Sequence, residues 1–251
     1  MTLASFTRWQ AAPIHMGISL VLAAVVVGLM LFFWYPQPFF LAAGGVTLLV
    51  LLVGVDVILG PLMTFIVYDP RKEGLKYDLF VIAVLQVAAL AYGGWVMFNA
   101  RPVYVAFAGD RFELVEANAI EPSDHAKAPA AFRKMPLSGP MVVGTRLPMN
   151  EADRNVLRGA AMVGGSIGVF PQYYVPYAVI AAEVPSKARP LSSLRSKHPE
   201  AAPAIDSIIA TTGKPENKLR YLPLQARHGD MVVALDASNG AVVGVIPVDP
   251  W

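Results

Sequence analysis

The run IHMGISLVLAAVVVGLMLFFW, from Ile14 to Trp34, decides what kind of chain this is. It holds no Asp, Glu, Lys or Arg, and it matches the roughly 20 apolar residues that a helix needs to cross a bilayer. Outward from it, the charge-free region extends from Arg8 to Asp56. The break in that region is Tyr35-Pro36-Gln37-Pro38, whose two prolines cannot continue a helix. A second apolar segment then covers about residues 39–68, and a third covers 79–100. One such stretch reads as a buried core helix as easily as a membrane span. Three within the first hundred residues point to a membrane unit. Trp9, Trp34, Tyr35, Tyr68, Tyr77 and Trp95 sit where a bilayer interface would place aromatic rings. Leu31-Phe32-Phe33-Trp34 offers no small-residue cleavage site, so the first span is expected to stay as an anchor.

Composition agrees. Of the 251 residues, 55% are hydrophobic and 15% charged, against about 25% charged in an ordinary soluble domain. The mean hydropathy is +0.51. This excludes a disordered or wholly soluble chain. A net charge of +2 gives no basic surplus for nucleic acid. The absence of cysteine excludes disulfides, thiol nucleophiles and Cys-type zinc sites.

The loop from Asp69 to Asp78 carries Arg71, Lys72 and Lys76, and the positive-inside rule places it in the cytoplasm. The N-terminus then also lies inside, and everything after Arg101 lies outside. That outer part holds 15 of the 20 Lys/Arg and 14 of the 18 Asp/Glu. The expected organisation is a three-helix integral membrane unit over residues 1–101 and a soluble, periplasmic α+β domain with an antiparallel sheet over 102–251. In that domain, Val103–Phe107 and Arg111–Val115 read as a hairpin around Gly109-Asp110. Residues 121–140 read as a loop. Asn150 with Asp153 marks a helix start, and Gly164-Gly165 its end. Pro171–Val184 reads as aromatic and extended. Short helices are expected over 190–198 and 200–212, and a closing hairpin over 231–248 with Asn239-Gly240 at its turn.

Asp56 is the sharpest chemical feature. A carboxyl group near the middle of a span costs about 2.5–3.5 kcal/mol on insertion scales, so it marks a function or a partner. Pro61, five positions on, frees a carbonyl near Val57. Gln86 on the third span lies within about one turn of Asp56 in depth. His15, Ser19, Thr64 and Tyr92 are further polar neighbours. Three roles stay open for Asp56: polar glue within the bundle, contact with a partner, and proton or ion movement. Asp69 and Asp78 flank the cytoplasmic loop as a conceivable aspartyl dyad, although no supporting glycine motif accompanies them. Tyr173, Tyr174 and Tyr177 cluster between prolines, as a docking surface or as a covered core strand. Arg154 and Arg158 share a helix face. The remaining histidines have no metal spacing, and no cofactor or nucleotide motif is present.

Several segments resemble the TfpX/TfpZ family of type IV pilin accessory proteins. They are Trp34-Tyr35-Pro36, Gly54-Val55-Asp56-Val57-Ile58-Leu59-Gly60-Pro61-Leu62, Leu75-Lys76-Tyr77-Asp78-Leu79, Ala100-Arg101-Pro102-Val103-Tyr104, Pro171-Gln172-Tyr173-Tyr174, Arg220-Tyr221-Leu222-Pro223-Leu224 and Pro247-Val248-Asp249-Pro250-Trp251. The stretch from Ala117 to Pro140 lies outside the resemblance. The resemblance implies a non-enzymatic bacterial inner-membrane protein without cofactors. Its partners would be a major pilin and, at the same membrane, pilus assembly components. A pilin-modifying transferase and a periplasmic sensor acting through a partner subunit are the competing classes.

Overall fold

The computed structural model describes residues 6–251. It divides into two compact units. One combines the stretch ending at Trp34 with Gly44–Asn99; the other combines Tyr35–Ala43 with Ala100–Trp251.

The first unit contains three helices long and apolar enough to cross a membrane: α1 (Arg8–Trp34), α2 (Gly45–Val67) and α3 (Leu75–Asn99). α1 starts six residues before the apolar run because the helix start is set by capping. Gln10 Oε1 accepts from the Thr7 backbone N–H at 3.1 Å, and Arg8 and Trp9 sit in the first turn. α2 is the middle helix, with α1 and α3 each packed along it. Trp9 meets Phe65 edge to face at 4.8 Å and ties one end of α1 to α2. Between Gly54 and Leu59, α2 changes to π spacing. α1 makes a similar π turn over Met30–Trp34.

The second span does not begin at Phe39 as the hydrophobicity implied. Phe39–Ala42 is a single helical turn, and Gly44, at φ +71°, separates it from α2. This turn belongs to the outer unit. Tyr35, Phe40, Ala42 and Ala43 are buried there, and Ala42 packs with Val105, Phe107 and Phe112. The Ala42 carbonyl accepts from the His228 backbone N–H at 3.1 Å. Burial and the nearby Glu116 carboxylate push the Tyr35 phenol upward, while burial holds the Arg101 guanidinium below its usual value.

The outer unit is built on an eight-stranded sheet. Its strands are β1 (Pro102–Phe107), β2 (Phe112–Glu116), β3 (Met141–Thr145), β4 (Tyr174–Pro176), β5 (Arg189–Pro190), β6 (Leu219–Gln225), β7 (Met231–Asp236) and β8 (Val242–Ile246). The order is β4-β3-β1-β2-β6-β7-β8, with β5 also on β6. Most pairs are antiparallel, as expected, whereas β1/β3 and β2/β6 run parallel. Both expected hairpins form, as β1/β2 and β7/β8, the second with Gly240 at φ +71° in its turn.

β6 and β7 explain why the sequence shows runs instead of alternation. Leu222, Leu224, Val233 and Leu235 face one apolar cluster, and Leu219, Tyr221, Val232 and Ala234 face another. Both faces are covered, so apolar residues occupy successive positions, as in Met231–Leu235, and polar ones stand at Arg220, Gln225 and Asp236. Helices α5 (Leu191–Lys197) and α6 (Ala202–Thr212) close the second cluster with Leu191, Leu194 and Ile205. Pro223 interrupts β6 where its neighbour changes. β5 pairs at Arg220 and Tyr221, and β2 pairs at Leu224 and Gln225, so the missing N–H falls between them. α4 (Glu151–Met162) starts where expected, with Asn150 Oδ1 accepting from the Asp153 N–H at 2.8 Å. The region 171–184 differs from its reading. β4 has three residues, and 3-10 turns flank it, since prolines at 171, 176 and 185 break any longer ladder.

Candidate functional site: a polar groove among the apolar helices

Asp56 stands at the midpoint of α2 and is 5% exposed. The π spacing around it has a consequence for its backbone. The Gly60 N–H reaches the Val55 carbonyl, five residues back. The Asp56 carbonyl would pair in the same way with residue 61, which is proline and has no N–H. Gln86 Nε2 fills the vacancy, donating to the Asp56 carbonyl at 3.2 Å. The sequence reading put the freed carbonyl near Val57 because it assumed α spacing; π spacing moves it one residue back. Gly60 makes the contact sterically possible. A Cβ there would lie 1.9 Å from Gln86 Nε2. Asp56, Pro61 and Gln86 therefore form one local device, with Gln86 engaging the main chain and not the carboxylate.

The carboxylate itself is left with an open position. Asp56 Oδ1 is buried and has no hydrogen-bond partner. Around it, His15 Nδ1 and Thr64 Oγ1 share a hydrogen bond at 2.6 Å across α1 and α2. Ser19 and Thr64 are buried. Asp56, His15, Ser19, Thr64 and Gln86 all line one groove of about 470 Å³, walled by Ile14, Ile18 and Leu22 of α1 and by Leu79, Val87 and Leu90 of α3. Asp56 also borders a smaller cavity of about 240 Å³, with Tyr92 and Gly93 on its α3 side. The intramembrane polar residues singled out from the sequence thus converge on Asp56 from three helices. Their signal was simple: each is a hydrogen-bonding side chain inside an otherwise apolar span.

The other candidates separate. Asp69 accepts from the Arg71 backbone N–H at 3.0 Å, and Asp78 pairs with Lys72 at 2.6 Å, so each aspartate has its own local partner. Arg158 pairs with Glu151 at 2.7 Å, and Arg154 donates to the Pro148 carbonyl. Of the tyrosine cluster, Tyr174 is a core residue. Its ring packs edge to face on Tyr104 and Phe132, and its hydroxyl donates to the Gly168 carbonyl. β4 turns that ring inward, leaving Tyr174 2% exposed. Tyr177 is half-buried and donates to the Gly240 carbonyl at 2.7 Å. Tyr173 is half-buried beside Phe170.

The family described as fimbrial assembly protein FimB matches residues 5–44. A Dichelobacter nodosus fimbrial assembly protein, serogroup I, is 34% identical over 186 residues, covering 73% of this chain and 72% of that protein. The chain belongs to the fimbrial assembly protein family. A second relative, serogroup E1 of the same organism, is 33% identical over 191 residues, covering 75% and 74% of the two chains. The serogroups C1 and C2 protein is 39% identical over 109 residues, covering 42% of this chain and 82% of that protein. An aligned stretch of 186 residues is longer than either unit, so fimbrial assembly relatives share sequence with both units. No solved structure matches this chain.

Proposed function

We propose that this fimbrial assembly protein is a non-enzymatic accessory of the TfpX/TfpZ type, resident in the bacterial inner membrane, which binds a type IV major pilin and supports its stability, assembly or display. The observation that carries the reading is similarity to fimbrial assembly proteins across about three quarters of the chain, reaching beyond the membrane helices into the outer unit.

Connectivity supports the orientation. Three consecutive spans put the ends of α1 and α3 on the same side of the membrane. The loop between α2 and α3 then lies on the other side, and its Arg71, Lys72 and Lys76 assign that side to the cytoplasm. A pilin awaiting assembly has a cytoplasmic N-terminus, one membrane helix and a periplasmic head. A partner with the same orientation meets both parts at once. Between membrane helices there is no hydrophobic drive, so close packing and polar contacts must supply the affinity. The groove around Asp56 offers both.

In-membrane crosslinking of a tagged full-length copy in its native host, followed by mass spectrometry, tests this. The major pilin is the expected leading partner. Capture of assembly-platform components without pilin would transfer the protein from pilin binding to the assembly machine.

A further inference from the structure

We infer that the groove between α1 and α3 seats one transmembrane helix of a partner protein, and that this helix carries a hydrogen-bond donor at the depth of Asp56. The name of the partner rests on the pilin-binding reading above; the chemistry of the seat does not.

Four observations lead there. Asp56 lies at the midpoint of a 23-residue span, as far from both interfaces as α2 allows. Its side chain is nine-tenths buried, lines the groove, and leaves Oδ1 without a donor. Two of the neighbouring polar groups are engaged elsewhere: the Gln86 amide with the Asp56 main chain and the Thr64 hydroxyl with His15. The walls are apolar and regular, with Ile14, Ile18 and Leu22 four residues apart on α1 and facing Val87 and Leu90 of α3. Residues spaced by four form one helix face, and this one extends over about 12 Å, two helical turns.

The occupant follows from what can bring a donor to that depth. Acyl chains carry none, and lipid headgroups stay at the interface. Water is excluded from the hydrocarbon core, and an unsatisfied polar group there costs several kcal/mol. A helix satisfies its own backbone and can carry one hydroxyl, amide or amine to mid-membrane. An amine would also neutralise the carboxylate. Ser19 and Ala83 line the same groove, and small side chains permit the close approach of backbones on which membrane helices rely.

The test places a photo-crosslinking amino acid in the full-length protein in native membranes, at Leu22 and Val87 on the two walls and at the exposed Leu85 outside the groove. Capture of the membrane segment of the major pilin is expected from the walls and not from Leu85. Asp56→Leu should cut wall capture about tenfold, the equivalent of one good intramembrane hydrogen bond. Asp56→Asn, which keeps an acceptor oxygen, should retain most of it. Unchanged protein level and protease resistance of the outer unit serve as the folding control. Wall capture that ignores Asp56→Leu overturns the seat, as does capture of lipid alone or of a second copy of this chain. Pilin captured only from the outer unit, for example from Met149 at 95% exposure, preserves pilin binding and overturns the seat. Capture from the walls of a different single-span protein, with the same Asp56 dependence, preserves the seat and overturns pilin binding.

Discussion

Two buried aspartates show how differently the two units treat a charge. Asp236 in the outer unit is 2% exposed, and its carboxylate is fully engaged. Oδ1 accepts from the Ser238 N–H at 2.8 Å and the Ser238 hydroxyl at 2.7 Å, while Oδ2 pairs with Lys214. It caps the turn between β7 and β8, and its role ends there. Asp56 is buried to a similar degree among apolar helices, and one of its oxygens remains open. The lesson concerns the surroundings. A soluble domain can recruit a lysine or a turn to satisfy a carboxylate. A three-helix membrane unit has few such groups, and an open position that persists there is most simply filled by another chain.

Mutations can break this contrast. The largest effect is expected where an apolar side chain leaves the outer core. Phe40→Ala should cost about 3 kcal/mol, and the loss should appear in the outer unit, because the turn from Phe39 to Ala42 belongs to it. Pulse proteolysis of the solubilised full chain in urea reads this directly. A loss seen only in the helices would contradict the division of the chain. Asp236→Ala should follow at about 2 kcal/mol, less than a fully buried pair because Lys214 is half exposed. Gly60→Ala forces Gln86 away from the Asp56 carbonyl and should cost about 1–2 kcal/mol for one unsatisfied acceptor, measured as a lower melting temperature of the helical unit in detergent. Tyr177→Phe removes the bond to Gly240 and should cost about 1 kcal/mol. Burial pushes the Tyr177 phenol up to about 12, so its absorbance should titrate well above that of a free tyrosine. The smallest change is expected at Asp56→Asn, within about 0.5 kcal/mol in the isolated protein, because the open carboxylate oxygen contributes no internal bond to lose. A large loss there would make Asp56 a second Asp236.

Glu116 sharpens the comparison through pH. Burial raises its carboxyl above 4.5, with Arg227 opposing. A raised acid favours the neutral form in the fold. The stability it contributes is full below the unfolded value and fades as pH rises through the folded one. Glu116→Gln should therefore gain on the wild type as pH rises from 4.5, in paired urea titrations. The opposite trend would mean that the contact with Arg227 outweighs burial.

The three spans were legible because bilayer length is a one-dimensional constraint: a charge-free run is visible without knowing what it touches. The hairpins at 102–116 and 231–246 were legible for a similar reason, since turn residues and their flanking strands are neighbours in sequence. β3 and β6 were not. Their pairs with β1 and β2 are parallel and join residues far apart in the chain, and Pro223 disguises β6 as a loop.

Residues 35–43 make the limit plain. By sequence they are a proline-rich break followed by the start of an apolar span. Tertiary structure assigns them to the core of a domain that begins some sixty residues later. Asp56 divides in the same way. Its presence in an apolar span, and the nearby polar residues on all three helices, could be read from the sequence alone. Which group meets Gln86, and which oxygen stays open, depends on the π spacing of α2 and on the glycine that lets α3 approach. Composition and spacing determine what a segment can be, because they act locally. Hydrogen-bond satisfaction is decided only when distant elements pack, because donor and acceptor lie on different helices.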